Sequence, residues 1–449
     1  MTIVYTLLAL LMINYCSKRK YPKMLLCLTA IVNGLFGFSL AFGDSPIKVQ
    51  DFMLIALYVC FYIEYRRDKQ FFSLKNDSFG RILTWCLIWT FLVFLGTGVF
   101  GQDSWLFAFK MYRVYLLLPS YFLLRKLTMD DMDQYFKMVL KLSIIQGIFF
   151  YLQLVGVTGI LSGYGATLEE GESILSHRFG NYPSFSFFFF IYFIIKNDVS
   201  IFKRVLNIVF WGMMPIVGQM RGGLISLFVA CGIYFVFQLK AKDILYLIVG
   251  IVAYQLVVVP MFSMREKDYE LSTADEIKLV VQNPLSVYKI YTGSSDEGTF
   301  VFRISIYEER IAYLIEHPQY LLQGVGCIHE DSPKNRFKFD YGTITKMEDG
   351  TAKTTMLSSA DIVWIGIIMH FGLVGVFLFT LLYYYYIKQS LPLVKNSKNV
   401  IFIVYACSSI GSYTGTFNSE AIGRVTMVTS ILLAVAIVSI YRREQNILN

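Results

Sequence analysis

The chain has 449 residues, of which 56% are hydrophobic and only 16% charged, with a mean hydropathy of +0.55. That balance excludes an ordinary soluble domain, where about a quarter of residues are charged. The net charge of +8, from 40 basic and 32 acidic residues, is spread over turns between apolar runs, so no nucleic-acid partner is needed to account for it.

Taken in chain order, the apolar runs predict spans at 3–15, 24–42, 52–65, 82–100, 105–124, 139–161, 182–195, 205–220, 224–238, 244–260, 362–386, 400–416 and 422–441. A bilayer core takes about 20 apolar residues per helix, and the short first and seventh runs leave the expected number at about 12 to 14. The runs are continuous rather than alternating, which predicts helices and not the strands of a barrel. The expected fold is therefore all-α and polytopic. The first run has no basic segment before it and no small-residue cleavage site after it, so it reads as a retained helix.

Lysine and arginine orient the bundle. Alternate turns carry Lys18, Arg19, Lys20 and Lys23, then Arg66, Arg67, Lys69, Lys75 and Arg81, then Arg125, Lys126, Lys137 and Lys141. The same side continues with Lys196, Lys203, Arg204, Lys240, Lys242, Lys388, Lys395, Lys398, Arg442 and Arg443. This side is expected to face inward, with the C-terminus. Within the third basic turn, Asp131-Met-Asp133 has the form of a metal-binding Asp-x-Asp, but Thr128 three residues before Asp131 makes an ordinary capping box.

One polar stretch, residues 261–358, interrupts the apolar pattern and falls on the outer side. It divides the chain into membrane helices over 1–260, an outer loop over 261–358 and further membrane helices over 359–449. Within the loop, Ser272 to Asp275 should start a short helix that Pro284 ends. A second helix is expected from about Phe300 to Glu316, stopped by His317–Pro318, and a hairpin around Glu348-Asp349-Gly350. On the second helix Arg303 and Arg310, seven apart, share a face with Tyr307 between them. The plain reading pairs these arginines with Glu308, Glu309 or Glu316. Only Cys327 of the seven cysteines lies in the loop, and His177, His317, His329 and His370 lack metal-ligand spacing. No phosphate loop or dinucleotide fingerprint is present, and no cofactor is expected.

The short outer turns are poor in positive charge, which singles out the cations they do carry. Arg113 lies inside a span that starts at Trp105, with Lys110 one turn away; Arg178 precedes a span; Arg221 stands at a junction before Gly222-Gly223. A charge inside a bilayer costs about 2.5 to 3.5 kcal/mol on insertion scales and marks a functional site by default. Arginine also grips phosphate through two parallel hydrogen bonds. The competing reading is that such side chains snorkel to lipid headgroups.

Four stretches together resemble the bacterial O-antigen ligase and Wzy-type polysaccharide polymerase superfamily of membrane glycosyltransferases. They are Arg178-Phe-Gly-Asn-Tyr-Pro183, Gln219-Met-Arg221-Gly222-Gly223, the helix from Arg303 through His317-Pro318 to Gly324-Val-Gly326, and Asp361-Ile362 followed after nine residues by Gly372-Leu-Val-Gly375. The likeness covers roughly 178–375. Ligases of the family carry His where this chain has Asp361, which favours the polymerase branch.

The resemblance implies a GT-C-like fold in the bacterial inner membrane, with the long loop and active site on the periplasmic side. It implies a metal-independent polymerase that moves a growing glycan from undecaprenyl pyrophosphate onto the next lipid-linked repeat. The implied partners are the undecaprenyl-pyrophosphate-linked oligosaccharide, membrane lipids, a flippase and a chain-length regulator. Arg221, Arg303 and Asp361 are then the expected catalytic residues, with Arg113, Arg178, Arg310, Tyr307, His329 and Glu420 binding substrate. The alternatives are a ligase or oligosaccharyltransferase, and a flippase or other transporter.

Overall fold

The computed structural model describes residues 2–32, 35–37, 49–157, 160–161, 183, 185–196, 198–218, 221–238, 252, 273–290, 299–330, 332–337, 339–341, 345–346, 352–353, 357, 362–414, 436 and 440. It is mostly helical. The first part comprises α1 (Thr2–Ser17), α2 (Tyr21–Val32), α3 (Val49–Arg67), α4 (Ser78–Val99), α5 (Trp105–Tyr112), α6 (Ser120–Leu124) and α7 (Met129–Leu152). It continues with α8 (Ser186–Ile195), α9 (Ile201–Val217) and α10 (Arg221–Gln238). The polar stretch contributes α11 (Thr273–Gln282), α12 (Val287–Ile290) and α13 (Thr299–Glu316), and the chain continues into α14 (Val363–Asn396) and α15 (Val400–Thr414).

Among the described residues three helices are long and apolar enough to cross a membrane: Ser78–Val99, Met129–Val155 and Val363–Asn396. Shorter apolar helices pack beside them: α2 on α7, α1 on α2 and α3, and α8 on α9 and α15. The outward face of α4 keeps large apolar side chains exposed, with Val99 at 70% and Leu92 at 53%, as a helix facing hydrocarbon should. The spans expected at 244–260 and 422–441 lie outside the described residues, apart from positions 252, 436 and 440.

Local chemistry sets the helix boundaries. Asp77 caps α4 by accepting from Gly80 N at 2.7 Å. Thr128 and Asp131 form the reciprocal box at the start of α7, with Thr128 N donating to Asp131 Oδ2 at 2.9 Å and Asp131 N to Thr128 Oγ1 at 3.2 Å. The expected continuous span at 105–124 is instead broken: α5 stops at Tyr112, a 3₁₀ turn covers Tyr115–Leu117, and α6 begins after Pro119. Proline has no N–H to donate to the preceding turn, and its ring crowds the carbonyl there.

Basic side chains tie helix ends together. Arg67 donates to Glu64 Oε1 at 2.7 Å and to the Cys16 carbonyl at 3.0 Å, while Tyr21 Oη reaches the same carboxylate at 3.1 Å. Arg125 pairs with Asp77 at 2.7 Å and Lys126 with Asp68. Arg204 donates to the carbonyls of Phe193 and Ile194. The Phe136–Tyr192 ring pair, 4.8 Å apart, sets the end of α8 beside the start of α7. The turns grouped on one side by their charge are thus joined by hydrogen bonds to the carbonyl ends of helices, where the dipole favours cations.

The opposite end of α4 meets the polar stretch. Helices α11–α13 form a cap whose apolar cluster includes Val301, Ile306, Leu314, Val325, Phe339, Ile362, Ile365 and Met369, so the cap sits on the first half of α14. Two buried carboxylates stitch it together. Glu276 accepts from Phe300 N and Val301 N at the start of α13, at 2.9 and 3.1 Å; Glu308 accepts from Leu285 N and Tyr288 N around α12, at 2.9 and 3.1 Å. A short antiparallel ladder pairs β1 (Thr345–Lys346) with β2 (Ala352–Lys353), Thr345 opposite Lys353. It is the hairpin expected around Glu348-Asp349-Gly350, a small β feature in an otherwise helical molecule.

Candidate functional site

Helix α14 is not continuous. At Gly372, with φ +63° and ψ −164°, the backbone leaves the helix and resumes it one residue later. That conformation is open essentially to glycine alone. A break at membrane depth frees N–H and C=O groups that lipid cannot satisfy. Here the segment after α13 satisfies them. Val325 N donates to the Met369 carbonyl at 2.7 Å, and Leu373 N and Val374 N donate to the carbonyls of Leu321 and Leu322 at 2.9 and 3.2 Å. Trp89 Nε1, from α4, takes the Phe371 carbonyl at 3.1 Å, and His370 Nδ1 lies 2.8 Å from the Gly326 carbonyl, which makes it the N–H donor.

Glycine is required on both sides of this joint. A Cβ on Gly324 (φ +76°) would lie 2.4 Å from the His370 carbonyl carbon, and one on Gly372 2.3 Å from the Leu322 oxygen. The segment then clips onto the end of α4: Cys327 N donates to Thr97 Oγ1 at 2.8 Å, and the buried Asp103 carboxylate accepts from His329 N at 3.1 Å and Ser332 Oγ at 2.5 Å.

Between α4 and this segment lies a cleft of about 160 Å³. Its wall is apolar and aromatic (Trp89, Leu92, Val93, Phe100), and its polar groups are Thr97, Gln102 and Gln323. Gly96 opens the wall, since a Cβ there would meet only the Phe100 ring, at 3.8 Å. Beside the cleft, the Phe107 ring carries His329 on one contact (5.7 Å between centroids) and the Lys110 ammonium on another (4.7 Å).

The residues expected to act fall into distinct places. Arg221 is the first residue of α10. Arg303 is half-buried on α13, one turn from Tyr307, whose side chain touches both the bundle core and the cap core. The Tyr307 hydroxyl is buried with no hydrogen-bond partner among the described residues, and burial raises its phenol. Helix α13 packs against α14, and Tyr307 packs into the cluster that holds Ile362 and Ile365, Ile362 being the cap residue of α14 with no side-chain cap bond. Asp361, Arg178 and Glu420 lie outside the described residues.

Arg310 does not share the half-exposed setting of Arg303. It is fully buried, pairs with Glu309, donates to the Tyr341 carbonyl and lies 4.2 Å from the centre of the Phe339 ring. Burial lowers its guanidinium to about 10, against the opposing pull of Glu309. Burial likewise raises the Glu309 carboxyl, while Arg310 and the N–H groups of Asp340 and Tyr341 act the other way. This is the plain pairing that the nearby glutamates suggest. It makes Arg310 a fastener of the cap.

Arg113 is also paired. Its Nη1 lies 2.8 and 3.1 Å from the two Asp51 oxygens, in the first turn of α3. That contact replaces snorkelling to headgroups and also complements the α3 dipole. The side chains are 13% and 29% exposed, so the pair lies between the surface and buried regimes. Arg113→Met and Asp51→Asn are each expected to cost about 1–3 kcal/mol, and the double variant Arg113→Met with Asp51→Leu to recover part of it. Thermal unfolding in detergent reads this out, and unchanged midpoints in both single variants would show the pair to be idle.

Trp89, Gln102, Asp103 and Gln323 carry no sequence pattern of their own. The available signal was Asp103, an acid just outside a span, and the Gly324-x-Gly326 spacing. Among the described residues no three His, Cys, Asp or Glu side chains come together as a metal site. The sequence matches no protein-family model and no curated protein.

Proposed function

We propose that the chain is a membrane glycosyltransferase of the polysaccharide-polymerase kind, extending a glycan carried on polyprenyl pyrophosphate at the outer face of a bacterial inner membrane. In this reading the bundle has about 12 to 14 spans in a GT-C-like arrangement, with the cap outside. One observation carries most of the weight. The cap segment ending in Gly324-x-Gly326 is built into the break of α14 at Gly372, which joins two of the four stretches that carry the family resemblance. The basic turns gather away from the cap, which supports the orientation.

The chemistry follows from the donor. A glycan on pyrophosphate already has its leaving group, so the protein has to hold two lipids and stabilise departing charge. The acceptor hydroxyl attacks the anomeric carbon, the bond from that carbon to the pyrophosphate oxygen breaks, and the hydroxyl proton goes to a base. Arg221 and Arg303 are assigned to the leaving pyrophosphate, electrostatic help of the kind that fixed donors give an oxyanion. Asp361 is assigned as the proton acceptor. Glu308 and Glu309, the rival bases on α13, already hold backbone N–H groups of the cap.

A transporter is the second reading, because broken helices are a mark of transporters. At Gly372, however, the freed groups are filled by the protein's own backbone and Trp89. The test is the surface glycan of a strain lacking the protein. Loss of the ladder, with single repeats still attached, is the expected result. No attachment at all would indicate a ligase, and repeats retained inside the cell a flippase.

A further inference from the structure

The cleft beside α4 has no part in the reaction as assigned above, yet it has a definite chemistry. It lies at the far end of a membrane-length helix from the basic turns, beside the cap. Its helix wall belongs to a face with Leu92 and Phe100 more than half exposed. A ligand there can reach it sideways from hydrocarbon. Its free polar groups are the two amides, Gln102 and Gln323, and the Lys110 ammonium and the His329 ring share the Phe107 ring nearby. His329 is tied to this rim, because its N–H bonds to Asp103, the neighbour of Gln102. An apolar slot with amides and a modest positive charge at its mouth fits an amphiphile with a phosphate head and a single flexible chain.

Chain extension as proposed needs two such lipids that differ in what is asked of their phosphates. The donor's pyrophosphate departs and gains negative charge, which demands fixed guanidinium groups. The acceptor's pyrophosphate stays bonded to its sugar throughout and needs only to be held. We infer that this cleft seats the first isoprene units of the acceptor lipid, with its pyrophosphate at the Gln102–Gln323 mouth near Lys110 and His329. The inference rests on the polymerase reading. Gly96 is then what makes room for the chain, and the Gln323–Gly326 wall couples an occupied cleft to α14.

The test uses the full-length protein in nanodiscs and a polyprenyl pyrophosphate carrying a photoreactive diazirine in its first isoprene unit, with labelled peptides mapped by mass spectrometry. Labelling is expected on α4 between Leu92 and Phe100 or on 323–326. Unlabelled polyprenyl pyrophosphate should compete it away, and phosphatidylglycerol should not. Gly96→Phe should cut labelling about tenfold or more, since it removes apolar contact along the chain. Leu92→Trp, at an exposed position outside the packed core, serves as a second block should Gly96→Phe fold poorly. In a transfer assay the blocking variants should raise the KM for the acceptor and leave that for the donor unchanged.

Labelling confined to other helices, labelling untouched by either variant, or equal competition by phosphatidylglycerol would overturn the assignment. So would a KM effect on the donor alone. These outcomes concern the cleft only: a strain lacking the protein would still lose its glycan ladder if the polymerase reading holds. An intact ladder in that strain would remove that reading and, with it, the acceptor role.

Discussion

Gly372→Ala and Gly324→Ala should each release the cap from α14. Both backbones sit at positive φ, +63° and +76°, and the added Cβ would fall 2.3–2.4 Å from backbone atoms of the facing segment. A flexible side chain could swing away from such a contact, but a backbone carbonyl held in a hydrogen-bonded joint cannot. Strained φ/ψ costs about 1–3 kcal/mol, and parting the joint leaves the Met369 carbonyl and the Leu373 and Val374 N–H groups unpaired, at about 1–3 kcal/mol each. A loss on the order of 4 kcal/mol or more is expected. It would be seen as a lowered unfolding midpoint and as new protease cleavage in the cap. Gly232→Ala, where a Cβ meets nothing within 4 Å, is the matched control and should be neutral or stabilising by up to about 1 kcal/mol. Cap cleavage and midpoints equal to wild type in both joint variants would show that the break does not need glycine.

How far the sequence could be read depended on whether the deciding contact was local. The Thr128–Asp131 box joins residues only three apart and is legible, as are two of the three cap helices, marked by Pro284 and by His317–Pro318. The Glu348-Asp349-Gly350 hairpin belongs to the same class. Pro119 is a local signal too, yet it lies within an apolar run whose composition masks it.

The other features depend on partners far along the chain. Gly372 lies in an unbroken hydrophobic run, and only the arrival of residues 321–326 turns it into a break. Arg113 is sixty-two residues from Asp51. The cleft joins 89–102 to 323–326. The arginines of α13 show the limit of periodicity: Arg303 and Arg310 share a stripe, but helical spacing could not say that one end of it would be sealed by Phe339 and Tyr341.

That difference between two arginines on one helix gives the sharpest test of the proposed chemistry. Arg310→Ala should fail through folding. It leaves the largely buried Glu309 carboxylate with its backbone donors but without its cation, and breaking a buried pair by removing one partner costs about 3–5 kcal/mol, so the variant should be scarce in the membrane. Arg303→Ala should fail through chemistry. Its side chain is half-buried, one turn from Tyr307, which packs against the cap core, and in the proposed chemistry its loss removes a fixed positive charge from the leaving pyrophosphate. A donor of this sort contributes about a hundred- to a thousandfold in rate, so the glycan ladder should collapse to single repeats while the protein stays abundant. Arg221→Ala should behave the same way. Lysine should rescue either position poorly, because one ammonium cannot make the two parallel hydrogen bonds that a guanidinium offers to phosphate. Ladder length and membrane abundance, measured side by side in the three alanine variants, separate the two modes of failure. A normal ladder in both Arg221→Ala and Arg303→Ala would remove these arginines from the reaction and leave the departing charge to some other group.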